Sequence, residues 1–237
     1  MCGRYLLTAP VDALAALFGF ENRPNLAPRW NIAPTQAAAV IRPAQTADGP
    51  GRRLDLLRWG LVPPWSKDPK AGPPLINARG ETVREKPAFR DAFRLGRCLV
   101  PADGFYEWRG KGKEKQAFYA RPPGTVAFAG IAAAWRRGDE TVESFAILST
   151  DAVGAIADIH DRSPVVIAAG DFARWLEAAP DAAAGLIRPP PADLFDVVEV
   201  DGRVGDVRQD DPGLTEPKPA RAAEPEPPAG GGQMSLF

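Results

Sequence analysis

The chain has 237 residues, 45% of them hydrophobic, and a formal net charge of −1, so it can fill the core of one large or two small domains. No run approaches the roughly 18 apolar residues of a membrane helix, and no charged segment followed by an apolar run marks a secretory signal, so a cytoplasmic protein is expected. Two cysteines and one histidine exclude a disulfide framework and an all-protein zinc cage; HExxH, CxxC and GxxxxGK[ST] are absent, and no metal or other cofactor is expected.

In chain order, VDALAALFG (residues 11–19) has helical apolar spacing and a terminal glycine, which predicts a short amphipathic helix. ENRPNLAPRWNIAPTQ is rich in Pro and Asn and predicts an irregular loop. AAAVIR and LDLLRWGLV predict strands around a polar turn, AQTADGPGRR. LVPPWSKDPKAGPPLINARGETV is too broken by Pro and Gly for regular structure, and a long loop carrying Trp65, Asn77, Arg79 and Glu81 is a functional candidate. REKPAFRDAFR predicts a helix, and RCLVPADGFYEW a strand ending in Glu107 and Trp108. RGKGKEK predicts a basic hairpin tip with QAFYAR returning. TVAFAGIAAAW and ESFAILST predict two strands around a GDE turn; Cys98, Trp59, Trp135 and Trp175 are expected in the core. Asp151 is the expected cap of a short helix leading to His160, DFARWLEA a last helix and DVVEV a last strand. From about residue 205, Pro, Gly, Ala and charge predominate, which predicts a disordered tail over 205–237 after one domain over 2–204.

Charge is unevenly placed: residues 1–137 hold 22 Lys and Arg against 11 Asp and Glu, and residues 138–237 hold 7 against 19. A basic first half suits a polyanion, and two halves of opposite sign also suit each other.

Cys2 follows the initiator Met1, and removal of Met1 places an amine and a thiol on one residue, a pair that condenses with an aldehyde to a thiazolidine. Small apolar filler at the start of a strand is the competing reading of the same residue. Cys2, Asn77, Glu107 and His160, in MCGRY, INARGET, ADGFYEW and IHDRSPV, together supply a nucleophile, an amide orienter, a carboxyl group and an imidazole.

These motifs, with NIAPTQ, RWGLVPPWSKD, KPAFRDAF, FAGI and SFAILST, run in the order of the SOS response-associated peptidase (SRAP) family, and residues 2–180 resemble it. The resemblance implies an α+β fold: one SRAP-like domain with a mixed, barrel-like β-sheet core flanked by short helices. It implies a sensor that shields abasic sites in single-stranded DNA through a covalent link from Cys2 to the ring-opened sugar. Asn77 would hold the sugar, Glu107 would move protons during imine formation, and His160 would assist transfer and reversal. It also implies self-processing peptidase activity at Met1 and accompanying lyase chemistry. Arg4, Arg79 and Arg162 are expected on phosphates and Trp65 and Trp108 on bases, with Asn31, Pro34 and Thr35 lining the groove. Gly80 and Ser163 replace the family's usual Ala and Met, and IAAAW lacks its usual Trp. A thiol peptidase using Cys2, His160 and Asn77, or a noncovalent single-strand binder, are the competing functions. The terminal QMSLF resembles sliding-clamp-binding peptides, with Gln233, Leu236 and Phe237 as anchors; the protein itself is expected to be a monomer.

Overall fold

The computed structural model describes residues 2–46 and 49–218. In chain order the elements are β1 (Arg4–Leu7), α1 (Val11–Phe18), β2 (Arg29–Ile32), β3 (Ala37–Thr46), β4 (Gly49–Trp59), β5 (Asn77–Arg79), α2 (Arg90–Leu95), β6 (Arg97–Ala102) and β7 (Gly104–Arg109). Then come β8 (Gln116–Arg121), β9 (Val126–Arg137), β10 (Glu140–Asp151), β11 (Arg162–Pro164), β12 (Val166–Ile167), α3 (Phe172–Glu177), α4 (Pro180–Ala184) and β13 (Asp196–Val200).

Five strands close into a ring. β3 pairs antiparallel with β4 and β6, β6 with β9 and β9 with β10, and a short parallel pairing of β10 with β4 at Ser144–Phe145 completes the circuit. Closure leaves these strands no free edge, and the parallel contact makes the barrel mixed, as the fold class anticipated. β6 is buried at every position, because its second face lies under α2 and α3. At Gly130 of β9 a Cβ would stand 2.7 Å from the Cys98 sulfur, so only glycine permits that crossing. Trp59, Trp135 and Trp175 are core, and each indole N–H donates to a backbone carbonyl, of Ile76, Ser66 and Cys98 respectively. Each thereby buries its ring without orphaning its one donor.

The second sheet is antiparallel throughout, in the order β13-β8-β7-β1-β2. RCLVPADGFYEW is two strands in two sheets rather than one, because Asp103 and Gly104 turn a corner between them. The Asp103 carboxylate accepts from Thr8 N at 2.6 Å, Thr8 Oγ1 and Ala9 N at 2.9 Å, and Thr125 Oγ1 at 2.6 Å. Gly104 follows at φ 142°, where a Cβ would lie 2.4 Å from the Tyr119 ring.

Three further expectations are corrected. β3 and β4 continue through most of AQTADGPGRR, with register from Ala37–Arg58 to Thr46–Gly49. Asp151 ends β10 instead of capping a helix; its carboxylate meets Arg162, and Gly154–Ile156 form only a 3-10 turn. The packed chain also runs past residue 204. Val204 and Leu214 are buried with Leu6, Tyr106 and Tyr119 of the second sheet, and Pro217 bridges to Val200. Two apolar anchors dock a segment whose average composition is polar. The clamp-peptide residues Gln233, Leu236 and Phe237 lie outside the described residues. Among the described residues no helix is long and apolar enough to cross a membrane.

Candidate active site

The site lies where the two sheets meet. Cys2 lies two residues before β1, and β1 runs beside β7 with Arg4 opposite Tyr106, which brings the chain start to Glu107. β5 lies parallel to β10 with Asn77 opposite Ile147, and from there Asn77 Nδ2 donates to the Cys2 carbonyl at 2.8 Å. Asn77 Oδ1 is buried with no hydrogen-bond partner. An orphaned buried acceptor costs free energy.

Cys2 is 2% exposed, and its thiol donates to the Arg4 carbonyl at 3.5 Å. Burial, and then the negative charge of Glu107, push the thiol well above its ordinary range. Glu107 is itself 4% exposed, and its Oε2 accepts from Trp108 N at 3.4 Å. A cleft of about 650 Å³ opens above these groups, lined by Gly3, Arg4, Glu107, Trp108, Lys115 and His160, with Gly202 and Gly205 of the C-terminal segment.

His160 Nδ1 lies 2.7 Å from an Asp161 carboxylate oxygen and 2.9 Å from the Arg162 backbone N–H. One nitrogen serves only one of these at a time. Protonated, it donates to Asp161; unprotonated, it accepts from Arg162. Either bond holds the ring in place, whichever of its two nitrogens carries the hydrogen.

Glu107 and His160 thus line the cleft with Arg4 and Trp108, while Cys2 lies buried next to the lining residue Gly3, with Asn77 bonded to its carbonyl. One Arg4 nitrogen is already tied to the Gly205 carbonyl at 3.1 Å. Arg79 is exposed two residues beyond Asn77, and Trp65 is 66% exposed on the loop before β5. Pro34 and Thr35 form the turn between β2 and β3. Thr35 is, among the described residues, the one non-glycine at positive φ, 72°, a strained conformation for a β-branched residue.

Two expected DNA contacts point elsewhere. Asn31 is fully buried, and its Nδ2 donates to the carbonyls of Val204, Asp206 and Gln209. With Asp210, which accepts from Trp30 N and Asn31 N, it straps down the C-terminal segment. Arg162 is 7% exposed; it forms a bidentate pair with Glu81 at 2.8 Å and meets Asp151 at 2.6 Å. Its charge is compensated before any phosphate arrives. The same holds for several basic residues of the first half: Arg29 meets Asp210, Arg42 meets Glu143, Arg84 meets Asp181 and Arg121 meets Asp196. Gly80 is accounted for by Ile187, whose Cγ2 would stand 2.3 Å from a Cβ there. Lys115 is the cleft residue that motif reading missed; the basic RGKGKEK turn was its signal.

The α+β barrel thus carries a buried cysteine, a buried carboxylate and an amide beside an open cleft, a candidate processing site. The SOS response associated peptidase (SRAP) family model matches residues 1–207, and the chain belongs to that family. It is 34% identical over 226 residues to the abasic site processing protein YoqW of Bacillus subtilis, covering 91% of this chain and 99% of that one. It is 31% identical over 233 residues to the abasic site processing protein YedK of Escherichia coli, covering 92% and 100%. A solved structure of a Bacteroides thetaiotaomicron protein shares the fold with TM-score 0.78 at 22% identity, covering 92% of this chain and all of that one. A phage-related protein of Bordetella bronchiseptica does so with TM-score 0.69 at 30% identity, covering 84% and 94%.

Proposed function

We propose that this protein senses and shields abasic sites in single-stranded DNA, capturing the ring-opened sugar on Cys2 after Met1 is removed. The observation that carries this reading is that β1 and β7, side by side, bring the buried Cys2 and the buried Glu107 to one end of the second sheet, with Asn77 tied to the Cys2 carbonyl, next to a cleft walled by Arg4, Trp108 and Lys115. The relatives named as abasic site processing proteins support it.

The freed Cys2 amine attacks the aldehyde carbon, forming a C–N bond and a carbinolamine. Glu107 protonates the hydroxyl, water leaves and an imine remains. The thiol then adds across the C=N bond: sulfur bonds to carbon, its proton passes through Glu107 to nitrogen, and a five-membered thiazolidine closes. The sum is the loss of one water with no change in oxidation state. Asn77 fixes the Cys2 backbone and presents its free oxygen to a sugar hydroxyl, and His160 exchanges protons during closure and reversal. Hydrolysis of the Met1–Cys2 bond is the peptidase step, and elimination from the imine is the accompanying lyase step. The raised thiol suits this sequence, in which the amine acts first. A peptidase thiolate needs the reverse, a thiol lowered by a cationic neighbour, and here the Asn77 amide N–H is directed to Cys2's own carbonyl.

Arg4 and Arg79 contact phosphates flanking the lesion, Trp65 and Trp108 receive exposed bases, and Pro34 and Thr35 shape the groove. The protein acts as a monomer in the cytoplasm at the nucleoid. Its terminal Gln233, Leu236 and Phe237 engage the sliding clamp, and removing residues 233–237 abolishes clamp pulldown; unchanged capture contradicts that role.

The test incubates the protein with single-stranded oligonucleotides containing or lacking one abasic site and resolves products under denaturing conditions. A stable adduct requiring both the lesion and Cys2 is expected. Peptide cleavage without adduct, or reversible binding alone, overturns the reading in favour of a peptidase or a noncovalent binder.

A further inference from the structure

Lys115 stands immediately before β8, diagonally across the hairpin from Trp108, which pairs with Ala117. Its Nζ lies 4.7 Å from the centroid of the Trp108 ring, within cation–π range. Among the described residues no carboxylate is within ion-pair distance of it, although Glu107 shares its cleft and Glu114 precedes it. Lys115 also lies on the ridge between two clefts. One is the site above Cys2; the other, of about 580 Å³, is lined by Arg109, Gln116, Glu199 and Lys218 among others, and the two share Lys115 and Gly202.

We propose that Lys115 is a positioning residue that covers the Trp108 ring in the free protein and moves onto a backbone phosphate when a single strand enters, uncovering the ring for a base. The inference rests on the single-stranded DNA reading above and adds to it a residue, a path and an order of events. Magnitudes favour the exchange. An exposed cation–π contact biases the lysine by only about two- to fivefold, whereas stacking a base on an aromatic ring favours binding by about five- to 150-fold. A phosphate contact adds counterion release, which the cation–π contact does not provide. A four-carbon stem on an exposed residue swings between these partners without moving the strand, and the second cleft gives the strand a continuation past the lesion.

The test measures binding of an undamaged thymidine oligonucleotide by anisotropy across NaCl concentrations for wild type, Lys115→Met, Lys115→Arg and Trp108→Phe, alongside tryptophan emission. Lys115→Met is expected to flatten the plot of log affinity against log salt by about 0.7, so that between roughly 50 and 200 mM NaCl the wild type loses about 2.6-fold more affinity than the variant. Lys115→Arg restores the slope. Strand binding quenches emission in wild type and Lys115→Met, and Trp108→Phe removes that part of the quench. An unchanged slope in Lys115→Met, or a quench indifferent to Trp108→Phe, overturns the proposal. Adduct yield on an abasic oligonucleotide, scored on the same proteins, separates the two claims. A wild-type adduct with an unchanged Lys115→Met slope removes the role of Lys115 alone, and a shifted slope in a protein that forms no adduct removes the Cys2 reading alone.

Discussion

The barrel strands pair in a closed circuit, whereas the five-stranded sheet is drawn from β1, β2, β7, β8 and β13 and covered by the chain after β13. The barrel supplies Asn77, on a strand paired with β10, and His160, between β10 and β11. The sheet supplies Glu107, on β7, and Cys2, two residues before the adjacent β1. Closure on one side and an assembled, strapped sheet on the other place Cys2, Asn77, Glu107 and His160 at a seam, beside an open cleft and fixed on both flanks. Chemistry sited there depends on the joint between the sheets as much as on the groups themselves.

The largest effect is expected from Glu107→Gln, which keeps the buried shape and removes the proton relay. Single-turnover adduct formation should slow by about 10²–10⁴-fold with the unfolding midpoint little changed; a rate within tenfold of wild type would place the proton transfers elsewhere. Gly104→Ala breaks the joint itself. A Cβ there meets the Tyr119 ring at 2.4 Å and the Ala120 carbonyl at 2.6 Å, at φ 142°, so urea unfolding should report a loss of about 3 kcal/mol or more.

Asn31→Ala sharpens the contrast between regions. Removing the donor shared by three carbonyls should cost about 1–3 kcal/mol. In hydrogen exchange, the amides of β13 and residues 202–217 should open faster while those of β9 and β10 keep their protection. The smallest effect concerns Glu81. Its side-chain hydrogen bonds to Arg162 hold its carboxyl below the ordinary 4.5, so its contribution is full above that value and is lost as pH falls through the lowered one. Because Glu81 is half exposed, the contribution stays below about 1 kcal/mol. Glu81→Gln should be slightly less stable than wild type at neutral pH, and the two should converge in acid titration of stability once the pH has fallen below the lowered value.

Legibility in the sequence followed local pattern. α1 with its left-handed Gly19 cap, the β7–β8 and β9–β10 hairpins and the three core tryptophans announce themselves through period and punctuation. The Asp103–Gly104 corner did not, because LVPADGFYEW is apolar on both sides and the four hydrogen bonds that fix Asp103 come from Thr8, Ala9 and Thr125, far away in sequence. The C-terminal segment was hidden by composition: Val204, Leu214 and Asp210 act singly, and no window average registers them. At the site, residue chemistry pointed to Cys2, Asn77, Glu107 and His160. Burial alone reveals that Asn31 and Arg162 serve the frame, and only the fold of the hairpin brings Lys115 over Trp108.

The most direct test of the central claim is the intact mass of the product formed with an abasic oligonucleotide, without added reductant. The expected mass is that of the chain lacking Met1 plus the oligonucleotide less one water, in wild type and not in Cys2→Ala, whose amine yields a stable product only after borohydride trapping. A product that retains Met1, or an equally stable unreduced adduct in Cys2→Ala, would contradict it.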